Sequence, residues 1–189
     1  MHLKDSPTRY GWVSIALHWG SAIAVVMLWF IGNFMTAEGT EQVTYAELVR
    51  VHTSVAVTVY VLLLGRIVHR FTVGFPGPVE DQHPLWFLLT RLAQYTLLIG
   101  IIAMLVSGPL MVWANGDAIE VLNWGDIPSP FAPNPALHDL MAETHRTTRW
   151  ALLIVVLVHV GGVFRSRDES LNRMLLAPED SRPDGRSPR

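Results

Sequence analysis

The stretch that decides the fold is HRTTRWALLIVVLVH, residues 145–159. It is an apolar run with a histidine at each end and no charge after Arg149. His145 and His159 lie 14 positions apart, which on an α-helix is about 21 Å along the axis. With 3.6 residues per turn the two side chains differ in direction by only about 40°. Both therefore face one side of the helix, at two depths. An ionisable side chain inside such a span is a functional hypothesis by default.

The run belongs to a span from about Thr147 to Phe164, and three similar windows precede it: about Trp12–Met35, Val49–Val68 and Leu92–Trp113. Each is near the roughly 20 apolar residues that a helix needs to cross the hydrocarbon. They are apolar all round, whereas the helices of a soluble bundle would carry a charged outer stripe. The first is too long for the apolar core of a signal peptide and lacks an evident small-x-small cleavage site, so it reads as retained. Composition agrees. Of 189 residues, 50% are hydrophobic and 16% charged, against about 25% charged in an ordinary soluble domain. The mean hydropathy is +0.32. The expected fold is all-α: an integral membrane four-helix bundle over residues 1–176. Residues 177–189 are charged and Pro-rich and read as a disordered tail. There is no internal repeat.

Charge sets the expected orientation. Thr36–Leu48 and Ala114–Thr144 contain no Lys or Arg but hold Glu38, Glu41, Glu47, Asp117, Glu120, Asp126, Asp139 and Glu143. Lys4 and Arg9 lie before the first span, Arg66, Arg70 and Arg91 around the middle loop, and Arg165, Arg167, Arg173, Arg182, Arg186 and Arg189 after the last. The positive-inside rule puts both termini and the Pro-rich middle loop FPGPVEDQHP in the cytoplasm. The acidic loops then lie outside, and the longer, 114–144, reads as aperiodic and functional. A net charge of −2 gives no hint of nucleic acid.

Depth sorts the histidines. His18 sits about 9 Å into the first span from the cytoplasmic side, and His159 is at a similar depth. His52 and His145 lie near the outer starts of spans two and four. Two opposed imidazoles in an apolar bundle suit the axial positions of a haem. With no cysteine the haem is non-covalent b-type, since c-type attachment needs C-x-x-C-H, and iron–sulfur, disulfide and thiol chemistry are excluded. Zinc wants three or four ligands at one level. A proton relay usually recruits intramembrane Asp or Glu, and the spans have none. The bland alternative for each histidine is a satisfied core residue. His2, His69, His83 and His138 read as solvated or interfacial.

Several motifs resemble the bacterial cytochrome b561 family over residues 8–176. They are H-W in span one, R-x-H-T-S opening span two, S-G-P in span three, E-T-H followed 14 residues later by His, and R-D-x-S-L-x-R-M after span four. The resemblance implies a di-haem four-helix membrane protein of the bacterial inner membrane. His18 and His159 would ligate the cytoplasmic-side haem, and His52 and His145 the periplasmic-side haem. Span three would give no ligand. It also implies electron transfer between a periplasmic donor and ubiquinone. Some members oxidise superoxide, and related b-type subunits anchor hydrogenases or dehydrogenases. With both axial positions filled, the expected chemistry is one-electron transfer. Arg50, Arg146 and Arg149 near the outer site and Arg9 and Arg66 near the inner one are expected near haem propionates, or as ordinary snorkelling cations. Trp12, Trp19, Trp113, Trp124 and Trp150 could pack on porphyrin or form an aromatic belt. Gly32, Ala56 and Gly162 could make room for the macrocycle or for close helix packing. The acidic outer face suits a cationic donor or a partner subunit better than an anion such as superoxide.

Overall fold

The computed structural model describes residues 3–78, 82–122, 125–165 and 173–174. The expectations for His2, Trp124, the tail from 177, the 176 boundary and most of R-D-x-S-L-x-R-M lie outside the described residues. Four helices form the bundle: α1 (Trp12–Met35), α2 (Gln42–Val73), α3 (Pro84–Ala114) and α4 (Pro135–Arg165). All four are long and apolar enough to cross a membrane. Large apolar side chains on their outer surfaces are exposed, among them Ile23, Val61, Ile99 and Leu157. In water that surface would be costly; against lipid it is the expected one.

α1 has the bounds its apolar window predicts. The other three helices run past theirs, because an apolar window sees only the part that meets lipid. α2 has 32 residues, about 48 Å of helix, against about 30 Å of hydrocarbon. α3 begins where His83 caps it: its ring accepts from the Leu85 N–H at 3.2 Å, and Pro84 fills the first turn, where no intrahelical donor is needed. α4 begins at Pro135, and Asn134 Oδ1 accepts from the Leu137 N–H at 3.1 Å, a side-chain N-cap.

The outer loop therefore differs from its reading as 114–144. Residues 135–144 are helical, so His145 lies well inside α4 rather than near its start. Within the remainder, β1 (Ile119–Val121) and β2 (Gly125–Ile127) pair antiparallel with Glu120 opposite Asp126. Gly125 opens β2 at φ 94°, a left-handed conformation that side chains disfavour.

α1 packs on α2 and α3 on α4. A core of Ala24, Leu63, Ile67, Leu98 and Ile101 joins α1, α2 and α3. Gly100 lets α4 approach α3: a Cβ there would fall 2.4 Å from Leu152 Cδ2. At one end of the bundle the Gly77 N–H donates to Pro7 O at 2.8 Å, and Trp19 Nε1 donates to Met174 O at 3.0 Å. The N-terminal segment, the α2–α3 connection and Met174 thus share the end that holds Lys4, Arg66, Arg70 and Arg91. The hairpin and the α1–α2 connection share the other, acidic end.

Candidate functional site

α4 gives one histidine to each of two pairs. Near the acidic end, His145 faces His52 of α2, with ring centroids 6.4 Å apart and planes at 77°. Toward the basic end, His159 faces His18 of α1, with centroids 6.3 Å apart and planes at 59°. α3 gives no histidine to either pair. A metal–imidazole bond is about 2 Å, so two opposed rings sharing one ion have centroids about 6 Å apart once the ring radii are added. Both pairs have that spacing. Among the described residues no three or more His, Asp or Glu converge as a metal-binding group. A zinc site is therefore short of ligands. A haem brings four equatorial nitrogens of its own and asks the protein for two. The donor set fits that group.

The acidic-end pair opens on an apolar cavity drawn from all four helices, including Trp29, Gly32, Ala56, Met104, Gly108 and Arg149. Two glycines back the rings. A Cβ on Gly32 would stand 3.4 Å from His52 Cε1, and one on Gly108 would stand 3.5 Å from His145 Cε1. Gly32 and Ala56 thus border the cavity, whereas nothing approaches the Cβ position of Gly162. Ser107, fully buried, sets its Oγ 3.1 Å from His145 Nδ1. The S-G-P motif of α3 therefore supports the pair without supplying a ligand. The residues after His52 act outward. Thr53 Oγ1 donates to Glu120 O at 2.8 Å, and Ser54 Oγ accepts from the Leu122 N–H at 2.8 Å. These bonds pin the hairpin over the acidic end, where Ile119 is buried.

The arginines separate by what they already hold. Arg50 pairs with Glu47 and Glu120, and Arg146 with Glu143. Arg9 is exposed, in a turn where its carbonyl accepts from the Ser6 N–H. Arg66 and Arg149 remain. Arg149 Nη1 donates to Thr36 Oγ1 at 3.2 Å and to Gly32 O at 3.4 Å, while its buried Nε has no partner. Arg66 Nη2 stands 3.1 Å from His18 Nδ1, and its buried Nη1 has no partner. The indole nitrogens of Trp12 and Trp29 are also buried without partners. Trp29 packs edge-on against Trp150, and Trp19 edge-on against His18. Trp113 instead ties Nε1 to Ile127 O of the hairpin.

At the basic end the N-terminal segment folds across the helices. Asp5 accepts from the Gly11 N–H at 2.7 Å and from Ser14 Oγ at 2.5 Å. Its other oxygen meets Arg70 Nη1 at 2.9 Å, and the two side chains are only 6% and 1% exposed. Burial would raise the Asp5 pKa, but the bonds from Ser14, Gly11 and Arg70 outweigh it and hold the carboxyl below its ordinary value. His69, which reads from sequence as solvated or interfacial, sets Nε2 2.8 Å from Ser14 Oγ. His138 sets Nδ1 2.8 Å from Met111 O.

Sequence reasoning names the four paired histidines but not Ser107, Ser14 or Asp5. The signal for Ser107 was present as S-G-P, a hydroxyl and a glycine in an otherwise apolar span. Asp5 had no signal, because its charged partner, Arg70, is 65 residues away.

The family model for prokaryotic cytochrome b561 matches residues 9–176. The chain is also similar to cytochrome b561 homolog 2 of Escherichia coli (strain K12), at 28% identity over 179 residues, covering 93% of this chain and 95% of that protein.

Proposed function

The chain belongs to the prokaryotic cytochrome b561 family of multi-pass, electron-transferring b-type cytochromes in the bacterial inner membrane, and on that premise we propose that it holds two haem b groups. His52 and His145 ligate one, and His18 and His159 the other. Lys and Arg at one end and the acidic loops at the other support cytoplasmic termini, so the His52–His145 site lies on the periplasmic side. Bound haem supplies one-electron transfer, and with two protein ligands per iron no position is left for oxygen binding. The two levels are about 21 Å apart along α4, which suits passage of single electrons between a periplasmic-side donor and a quinone in the membrane, with ubiquinone as acceptor.

The chain's own residues hold and orient. Gly32 and Gly108 leave room for the imidazoles, and Ser107 fixes the His145 ring. Arg149 and Arg66, with unpartnered N–H groups, suit the propionate carboxylates. The observation that carries the reading is the repeated ring spacing of 6.3 and 6.4 Å. A reduced-minus-oxidised spectrum of the detergent-solubilised protein, with haem quantified per chain, tests it. A b-type spectrum with two haems is expected; no b-type signal would sink the reading.

The acidic end bears on the donor. Glu38, Glu41, Asp117, Asp126 and Asp139 are exposed there, and superoxide, an anion, gains nothing from that field. A basic donor protein suits it. The same surface favours a second reading, a haem-carrying anchor docked to a partner dehydrogenase or hydrogenase. Quinone reduction by superoxide in the isolated protein would contradict both the cationic donor and the anchor.

A further inference from the structure

The two pairs differ in what stands behind a ligand ring. In each pair one histidine has its Nδ1 engaged, which leaves Nε2 as the nitrogen free for iron. A neutral ring bound through Nε2 carries its proton on Nδ1. For His145 that proton has an acceptor, because Ser107 Oγ lies 3.1 Å from Nδ1. For His18 it has none. Arg66 Nη2 stands 3.1 Å from Nδ1, and a guanidinium has only donors.

We propose that Ser107 and Arg66 are positioning residues that set the reduction potentials of the two haem sites apart, with the His18–His159 site the higher. This rests on the two-haem reading above. A hydrogen bond from Nδ1–H to an acceptor makes the ring a stronger donor to the metal. A stronger donor stabilises ferric iron and lowers the potential. Ser107 does this at the acidic-end site. Arg66 denies His18 that acceptor, which leaves the ring a weaker donor and favours ferrous iron. Electrons then move downhill from the acidic-end site to the basic-end site. With the orientation proposed above, that is from the periplasmic toward the cytoplasmic side.

Spectroelectrochemical titration of the purified haem-loaded protein tests this. The wild type should titrate in two one-electron steps. Arg66→Gln replaces donors by a side chain that can accept from His18 Nδ1–H, and should lower the upper step alone. The shift expected is about tenfold in the ratio of reduced to oxidised haem, or about 59 mV for one electron. Arg66→Lys keeps a cation and offers only donors, so it should retain the wild-type upper step. Ser107→Ala should raise the lower step alone. An Arg66→Gln shift in the lower step, or no shift, would overturn the proposal, as would a lower step that does not rise in Ser107→Ala. If Arg66→Gln yields no folded protein, the Ser107→Ala result decides. A wild type without two haems overturns the two-haem reading itself. Two haems whose steps ignore both residues overturn only the tuning.

Discussion

The acidic-end and basic-end histidine pairs reach almost the same spacing, 6.4 and 6.3 Å, by different supports. At the acidic end what touches the rings is missing volume and neutral polarity: Gly32 and Gly108 lie behind the rings, Ser107 fixes one of them, Arg149 stands off on Thr36 and Gly32 O, and a hairpin covers the end. At the basic end it is charge. Arg66 contacts His18 directly, and a buried Asp5–Arg70 pair ties the N-terminal segment across the helices. One geometry built on two kinds of support is what two sites with one job and different neighbours would need. Damage at one end should therefore leave the other standing.

The largest effect should come from removing a ligand. His52→Ala or His145→Ala should abolish the acidic-end haem and leave the other. His18→Ala or His159→Ala should do the reverse. Haem content per purified chain checks this: each variant should fall to half. Loss of both haems from one substitution would show that the sites are not independent.

Next in size is the buried ion pair. Asp5→Ala leaves Arg70 uncompensated in an apolar setting, and removing one partner of such a pair costs about 3–5 kcal/mol. Thermal unfolding should show that loss, with the acidic-end haem retained in the protein that folds. A loss under 1 kcal/mol would mean the clamp is not needed.

Glycine removal sharpens the contrast at the acidic end. A Cβ on Gly108 would already be in van der Waals contact with His145, 3.5 Å away, and the two further methyl groups of Gly108→Val should crowd the ring. Displacing a ligand's support typically costs about 10–100-fold in metal affinity. Haem titration into the variant should show this at one site only. Equal weakening of both sites would argue that the glycine acts on the whole bundle.

The smallest effects are a hydrogen bond and a proton. Ser54→Ala leaves the Leu122 N–H without its partner, which costs about 1 kcal/mol. Hydrogen exchange should quicken in the hairpin while the basic end stays as protected as before. For Asp5 the folded pKa lies below the ordinary value. Its contribution to stability is complete above the unfolded pKa, about 3.9, and fades as pH falls through the folded value. Wild type should lose that stability in acid, and Asp5→Asn should lack this part of the pH dependence. Identical acid profiles for the two would contradict the assignment.

Much of this was legible in the sequence, for physical reasons. A span must be apolar all round, so four windows stand out, and the first coincides with α1. Helical phase and depth relate His145 to His159 because one helix carries both. Opposing His18 to His159, or His52 to His145, needs helix packing, and the sequence supplies only depth for that. Caps were harder to read: His83 and Asn134 extend α3 and α4 beyond the apolar windows, so the outer loop looked longer than it is. From sequence all the interfacial arginines suit topology signals or propionate partners alike, and only contacts distinguish Arg50 and Arg146, held by glutamates, from Arg66 and Arg149. S-G-P marks Ser107 in an otherwise apolar run, but only the packing of α3 on α4 sets its hydroxyl beside His145.

The central claim is that each histidine pair holds one haem b. Its most direct test is the haem count per chain, by extraction and spectrum, for the wild type and His145→Ala purified side by side. Two haems and one haem are predicted. A single haem in the wild type, or full occupancy in the variant, would contradict the account.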